Sequence, residues 1–285
     1  CALREQVARF DRAFRQDPEQ PVHVHYALKA NPTLTVVQLL KDTGVAADAS
    51  SGIELELALG VGFGRIVCSG PAKLPAELAL AVAHADRVTV HLDSLTELER
   101  LERSAALAGR QVRAGVRVSL DLHGLWTKFG IPLAELPEFV RQAARMRWVR
   151  LEGIQFHLSW NRTARPYVQT LERLGPVLRE AVPPGGWRFL DAGGGFYPED
   201  DEAAYPWLSP RARTRALLRG HPPDQPPADW DLRCRVQRVE PIESVAAKLL
   251  AAFRHHVVEA VGPMELWLEP GRYLANPAVH ILLGV

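Results

Sequence analysis

Eight short apolar runs, each handing over to a segment of helical spacing, constrain the fold of this chain more than any other feature. They are HVHYALK (23–29), GVAADAS (44–50), RIVCSG (65–70), RVTVHLDS (87–94), VRAGVRVSL (112–120), LEGIQFHLS (151–159), WRFLDAGGG (187–195) and MELWLEPGR (264–272). The connecting segments TLTVVQLLKD, SGIELELALG, PAELALAVAHA, SLTELERLERSAALAG, AELPEFVRQAARM, PYVQTLERLGPVLREAV and PIESVAAKLLAAFRHHVVEAV read as helices. One of them carries both punctuation marks: Ser94 to cap it with Glu97 three residues on, and Gly109 to close it. Strand and helix in alternation with short connections predict parallel βα units. Eight units predict an α/β fold of the closed (β/α)8, TIM-type kind, whose usual size of about 250 residues suits this chain. A doubly wound open sheet is the competing arrangement.

In a barrel, residues at the strand C-termini converge on one face, where catalytic groups gather. That face would receive Lys29, Asp48, Asp93, His157, Gly193, Gly194, Gly195, Glu269 and Arg272. One stretch breaks the rhythm. Residues 197–240 are rich in Pro, Arg and acids, and a loop of that length is either a lid over the face or a tolerated surface insertion.

Composition narrows the classes of partner. With 47% hydrophobic residues, 24% charged and a formal net charge of +1, the chain has an ordinary soluble profile. It has no Lys/Arg-dense run to suggest a nucleic-acid partner. It has no apolar stretch of about 18 residues to span a membrane. Cys1, Cys68 and Cys234 fit neither a disulfide framework nor a zinc spacing. No metal ligand set is expected, no signal peptide is visible, and the cytoplasm is the expected compartment.

Lys29 is the odd residue. It closes an apolar run just before Asn31-Pro32, and lysine is almost never fully buried unpaired. Either it snorkels out at the strand end or its amine is there to react. In DAGGGF (191–196), Gly193 to Gly195 allow close backbone approach and a nest of N–H groups for an anion, or simply a bend after a strand. Barrels often hold a phosphate between the loops after strands seven and eight, and Arg272 at the eighth strand end can bind phosphate oxygens in a fork. A phosphate pocket beside such a lysine points to pyridoxal 5′-phosphate, held as a Schiff base on the amine. Glu269 could then keep the pyridine nitrogen protonated, or could merely pair with Arg272.

These motifs together carry a resemblance. YALKANP, ADASSGIELELAL, TKFGIP, QFHLS, LDAGGGF and EPGRYL stand in one order from Tyr26 to Leu274. In that order the sequence resembles the fold-type III pyridoxal-phosphate decarboxylases, the group of ornithine, diaminopimelate and biosynthetic arginine decarboxylases. The resemblance implies Lys29 as the Schiff-base lysine, His157 on the face of the cofactor ring and Glu269 at the pyridine nitrogen. It implies Gly193, Gly194 and Gly195 at the phosphate, assisted by Arg272, with Asp48 and Glu54 as acids near the lysine. Lys128 falls in the TKFG motif without an assigned role. On the residues alone, His157 reads more readily as a core histidine.

Two departures stand out. Where the family reads His-x-Gly-Ser, this chain reads His157-Leu158-Ser159-Trp160, so Ser159 would take the phosphate contact or Trp160 would reshape the pocket. The family also continues into a β-domain whose cysteine, acids and tyrosine complete the partner's site in a head-to-tail dimer. Here residues 1–274 are expected to form the barrel, and 275–285 only the start of that β-domain. A homodimer is expected where the full chain carries it. The function expected is decarboxylation of an amino acid at its α-carbon. An amino-acid racemase on the same barrel, or a cofactor-binding homologue without catalysis, are the alternatives.

Overall fold

The computed structural model of the chain describes residues 2–120, 129–159, 161–198, 203–204, 214, 216–220, 235–236 and 238–276. Lys128, Trp160, most of the 197–240 insertion and nearly all of 275–285 lie outside the described residues.

Eight parallel strands close into a barrel. They are β1 (Val22–Ala27), β2 (Ala46–Ala49), β3 (Ile66–Cys68), β4 (Val88–Leu92), β5 (Val112–Ser119), β6 (Val149–Gln155), β7 (Phe189–Asp191) and β8 (Glu265–Leu268). Each pairs in parallel with its neighbour in sequence order, and β1 pairs with β8 to complete the ring. Every predicted run supplied one strand, so the open sheet is excluded. The first run is trimmed at its end: Leu28–Ala30 form a 3-10 turn, which lifts Lys29 off the strand.

The helices fall where the spacing placed them: α2 (Leu34–Lys41), α3 (Gly52–Val61), α4 (Pro75–Ala83), α5 (Leu95–Ala108), α6 (Leu136–Ala143), α7 (Arg165–Glu180) and α8 (Ile242–Phe253). They follow a helix that the strand-by-strand pattern did not announce, α1 (Ala2–Phe14). A short α9 (Arg272–Ala275) follows β8. In α5, Ser94 Oγ accepts from Glu97 N at 3.1 Å and Gly109 turns left-handed at φ 61°. The Glu97 carboxylate does not reach back to Ser94. It accepts instead from Asp93 N at 2.8 Å and from the buried Lys73, whose amine also donates to Gly70 O and His91 O. One cation thus pins the loops after β3 and β4 together. Within the insertion, Ala203–Ala204 and Arg235–Val236 pair antiparallel.

The barrel is filled by stacked rings. Phe189 and Trp267 lie parallel with centroids 3.7 Å apart, and His25 packs on Trp267 at 4.9 Å. Neighbouring strands make room by omitting side chains. A Cβ on Gly153 would meet Phe189 at 2.1 Å, and one on Gly115 would meet His91 at 2.8 Å. Two aromatics fully buried at about 1.5–3 kcal/mol each hold the lower barrel shut.

Helix α1 supports the opposite end. Its Phe10 and Phe14 meet Phe196, at 5.2 and 5.9 Å, and Phe10 meets Tyr273 at 5.3 Å. Phe196 follows the glycine run and Tyr273 follows Arg272, so one apolar helix face steadies both loops. Gly153→Ala should lower stability in urea unfolding by about 1–3 kcal/mol, as overpacking does. Phe189→Leu in the same chain should recover part of the loss; a neutral single substitution would refute this account of the filling.

Candidate active site

The strand C-termini open onto a cleft of about 480 Å³, within the range of ligand sites. Lys29, His157, Ser159, Gly195, Glu269 and Arg272 are among the residues that line it. Asp48, Gly193 and Gly194 sit in its floor through the contacts described next. These nine residues, each singled out from the sequence, are therefore brought together. A larger cleft of about 770 Å³ lies at the other end of the barrel, beside Arg4, His23 and Arg65, away from this constellation.

Lys29 owes its position to two backbone approaches. Asn31 Oδ1 accepts from Thr33 N at 3.0 Å and Asn31 O accepts from Tyr26 at 3.1 Å, which tightens the turn. From β8, Pro270 O accepts from Ala27 N at 3.3 Å, and a Cβ on Gly271 would lie 2.9 Å from Ala30 Cβ. The glycine of EPGR is thus what lets the β8 loop lie against the lysine turn.

The lysine side chain is 45% exposed, toward the cleft, while Asp48 beneath it is fully buried. Lys29 Nζ lies 3.4 Å from both Asp48 Oδ2 and Ser50 Oγ. Ser69 Oγ donates to the other Asp48 oxygen. Burial alone would lower the Lys29 pKa, but Asp48 and Glu269 together outweigh it and hold it above its ordinary value. Burial and the Glu269 charge push Asp48 up to about 6, against the pull of Lys29 and Ser69.

Glu269 is 1% exposed. Its Oε2 accepts from Gln155 Nε2 at 3.4 Å and lies 3.6 Å from His157 Nδ1. Burial would raise its pKa, yet His157, Lys29 and His91 bring it below the ordinary carboxylate range. Burial lowers His157, whose Nδ1 accepts from Gly194 N at 3.3 Å. Glu54, expected near the lysine, holds the β2 loop by accepting from Ser50 N at 2.6 Å. Asp93 likewise accepts from Gly130 N at 2.7 Å.

The glycine run is a cradle. A Cβ would meet Phe156 O at 2.5 Å from Gly193, Glu269 O at 2.4 Å from Gly194 and Leu158 O at 2.0 Å from Gly195. Gly193 and Gly195 also take positive φ. The nest is not built from three free amides, however. Gly193 N donates to Asp191 Oδ1 at 2.8 Å and Gly194 N is used on His157. The Gly195 amide, at the cleft wall, has no acceptor among the described residues. Tyr167 donates to Gly194 O at 2.7 Å, and Arg272 lies over the Tyr197 ring at 5.2 Å.

Sequence reading missed Ser50, Ser69, His91, Gln155 and Asp191. Most were discoverable by counting back in twos along the inward face of each strand: Gln155 from His157, Asp191 from Gly193, His91 from Asp93.

A cationic amine on a carboxylate, a glycine cradle with an arginine, and a buried ionised glutamate between them suit a small anionic ring compound bearing an aldehyde and a phosphate. The comparisons agree. The family model "Pyridoxal-dependent decarboxylase, pyridoxal binding domain" matches residues 2–276. A diaminopimelate decarboxylase of Methanothermobacter thermautotrophicus is 28% identical over 99% of this chain and 60% of its own length. A probable ornithine decarboxylase of Dictyostelium discoideum is 30% identical over 64% of this chain and 40% of its own. Among solved structures, diaminopimelate decarboxylase from M. jannaschii, in complex with L-lysine, superposes with a TM-score of 0.76 at 20% identity. That match covers 95% of this chain and 59% of the other. Lysine/ornithine decarboxylase from Vibrio vulnificus, complexed with putrescine, gives 0.72 at 23%, covering 97% and 62%. The chain thus spans about half the length of the curated relatives it matches.

Asp48 gives a pH prediction. Its pKa is about 6 folded against 3.8 ordinarily, so the native state binds the extra proton between those values. Its contribution is fully present below the lower value and is lost as pH rises through the upper one. Asp48→Asn should flatten the fall in melting temperature of the cofactor-free protein between about pH 4 and 6. An unaltered slope would contradict the assignment.

Proposed function

The chain belongs to the pyridoxal-dependent decarboxylases through their pyridoxal-binding domain, and on that premise we propose that it binds pyridoxal 5′-phosphate and removes the α-carboxylate of an amino acid. The observation that carries this reading is one cleft holding Lys29, the glycine cradle and Glu269 together. The residues fit the cofactor: the amine of Lys29, the Gly195 turn, Arg272 and the buried Glu269 carboxyl line one cleft, and the three glycines let that turn lie against neighbouring backbone at distances no side chain would permit.

When bound, the cofactor supplies an electron sink for the charge left when carbon dioxide departs. Lys29 would hold its aldehyde carbon through the amine, with Asp48 and Ser50 orienting Nζ. The Gly195 amide, Arg272 and Ser159 would take the phosphate, Arg272 by its fork. Glu269, ionised, would keep a proton on the ring nitrogen, and His157 would cover the ring face. Gly193 and Gly194 act structurally here, since their amides fix Asp191 and His157. The carboxylate at position 269 also favours decarboxylation over racemisation, because a protonated ring is the stronger sink.

Relatives named for ornithine, lysine and diaminopimelate point to an amino acid whose side chain ends in a cation. The reading takes residues 1–274 as the barrel domain and 275–285 as the start of a β-domain. It takes a homodimer as the state of a chain carrying that domain, and the cytoplasm as its compartment. No described helix is long and apolar enough to cross a membrane.

Supplied with pyridoxal phosphate and a panel of basic amino acids, the full-length protein should release carbon dioxide and the matching amine. Lys29→Ala should lose the visible absorbance of the bound cofactor and fall to the rate of free cofactor. Glu269→Gln, loaded at saturating pyridoxal phosphate, should still show the visible absorbance and lose about a hundredfold or more in kcat, as removal of one charge-stabilising group does elsewhere. Interconversion of substrate enantiomers without carbon dioxide release would instead make it a racemase.

A further inference from the structure

We propose that His91 is a positioning residue for Glu269: its ring bridges the buried carboxyls of Asp191 and Glu269 and turns the outer Glu269 oxygen to the cleft. The inference rests on the reading of Glu269 as the partner of the cofactor's ring nitrogen.

His91 lies on β4, fully buried, and neither ring nitrogen has a hydrogen-bond partner among the described residues. Asp191 Oδ2 and Glu269 Oε1 are orphaned in the same way. The imidazole stands between these orphans, Nδ1 3.9 Å from Glu269 Oε1 and Nε2 3.9 Å from Asp191 Oδ2. Four unpaired polar atoms buried in one place are each costly to leave unsatisfied, so some arrangement must join them. At 3.9 Å each contact exceeds a direct hydrogen bond and closes with a shift of about 1 Å or through one water.

The ring cannot turn freely to escape this role. It stacks on Phe189 at 5.9 Å and on Trp267 at 6.4 Å, and the space left by Gly115 receives its edge. Its own carbonyl is held by the Lys73 amine.

The proton count closes. A neutral imidazole has one N–H and one lone pair, so it can serve one carboxylate and one carboxylic acid, not two carboxylates. Burial lowers His91 to about 4, against the Glu269 charge and with help from Lys73 and Arg117. Burial, the Glu269 charge and the closeness of the Glu269 carboxyl itself raise Asp191 well above its ordinary value, while Glu269 is lowered. The extra proton therefore sits on Asp191. Asp191 O–H donates to His91 Nε2, and His91 Nδ1–H donates to Glu269 Oε1.

The same three residues have the separations of a metal cluster, within 4.8 Å. A cation there would take one bare His91 nitrogen and leave the proton on the other, so the His91 tautomer separates a metal held through Nδ1 from the bridge.

Two measurements test this. In the cofactor-free protein, ¹⁵N NMR of the histidines should find His91 neutral with the proton on Nδ1 from about pH 6 to 8. A proton on Nε2, or a charged ring, overturns the bridge whatever the enzyme's activity. Pyridoxal phosphate titrations followed by tryptophan fluorescence should then give binding about 10–100-fold weaker for His91→Phe, the loss expected for one hydrogen bond to a charged group. His91→Asn, which retains an N–H donor, should recover most of it, while the melting temperature of His91→Phe stays at or above that of wild type. Equal affinity for all three proteins overturns the proposal, as does a loss that His91→Asn does not repair. Failure of the wild type to bind pyridoxal phosphate would sink the functional reading instead, and the tautomer would still judge the bridge.

Discussion

Three carboxyls stand at the mouth of a closed barrel, almost wholly shielded from bulk water. Asp48, Asp191 and Glu269 are each at most 1% exposed, and an unpaired buried charge costs several kcal/mol. The upper half of the molecule is arranged to meet that cost. Asp48 is met by Lys29 and Ser69, Glu269 by Gln155 and the nearby Lys29 charge, and Asp191 by the Gly193 amide. Burial and the Glu269 charge raise Asp48 and Asp191, whereas His157, Lys29 and His91 lower Glu269 against its own burial. A site with one ionised glutamate and one paired ammonium at neutral pH follows from burial and neighbours, not from the residue types alone.

The rest of the fold keeps those groups in register. Stacked Phe189 and Trp267 fix the barrel just below, and the glycines at 115 and 153 make that stack fit. Above, Gly194 and Gly271 let the β7 and β8 loops approach their neighbours at distances no side chain would permit. Helix α1 then backs both loops through Phe196 and Tyr273. Moving any of these would move the cradle relative to the lysine.

Much of this was legible in the sequence, for a definite reason. Reactive residue types at strand ends are conspicuous because propensity and burial both disfavour them there, so Lys29, His157, Glu269 and the run Gly193–Gly195 stood out. The first strand was read two residues too long, because Leu28 continues its apolar pattern while the backbone has already turned. Helix α1 went unread because it precedes the first strand, outside the strand-then-helix rhythm. Ser50, Ser69 and Gln155 were silent as uncharged residues whose importance comes only from the carboxylates they meet. Asp191 and His91 were silent for another cause: each lies two residues inside a more eye-catching strand end.

The central claim is that one amine, Lys29 Nζ, is reserved for a covalent bond to the cofactor. Borohydride reduction of the protein with pyridoxal phosphate, followed by proteolysis and mass spectrometry, addresses it directly. The account predicts a single modified peptide, the one that contains Lys29. A modification at the buried Lys73 or the exposed Lys248, or none at all, would contradict it.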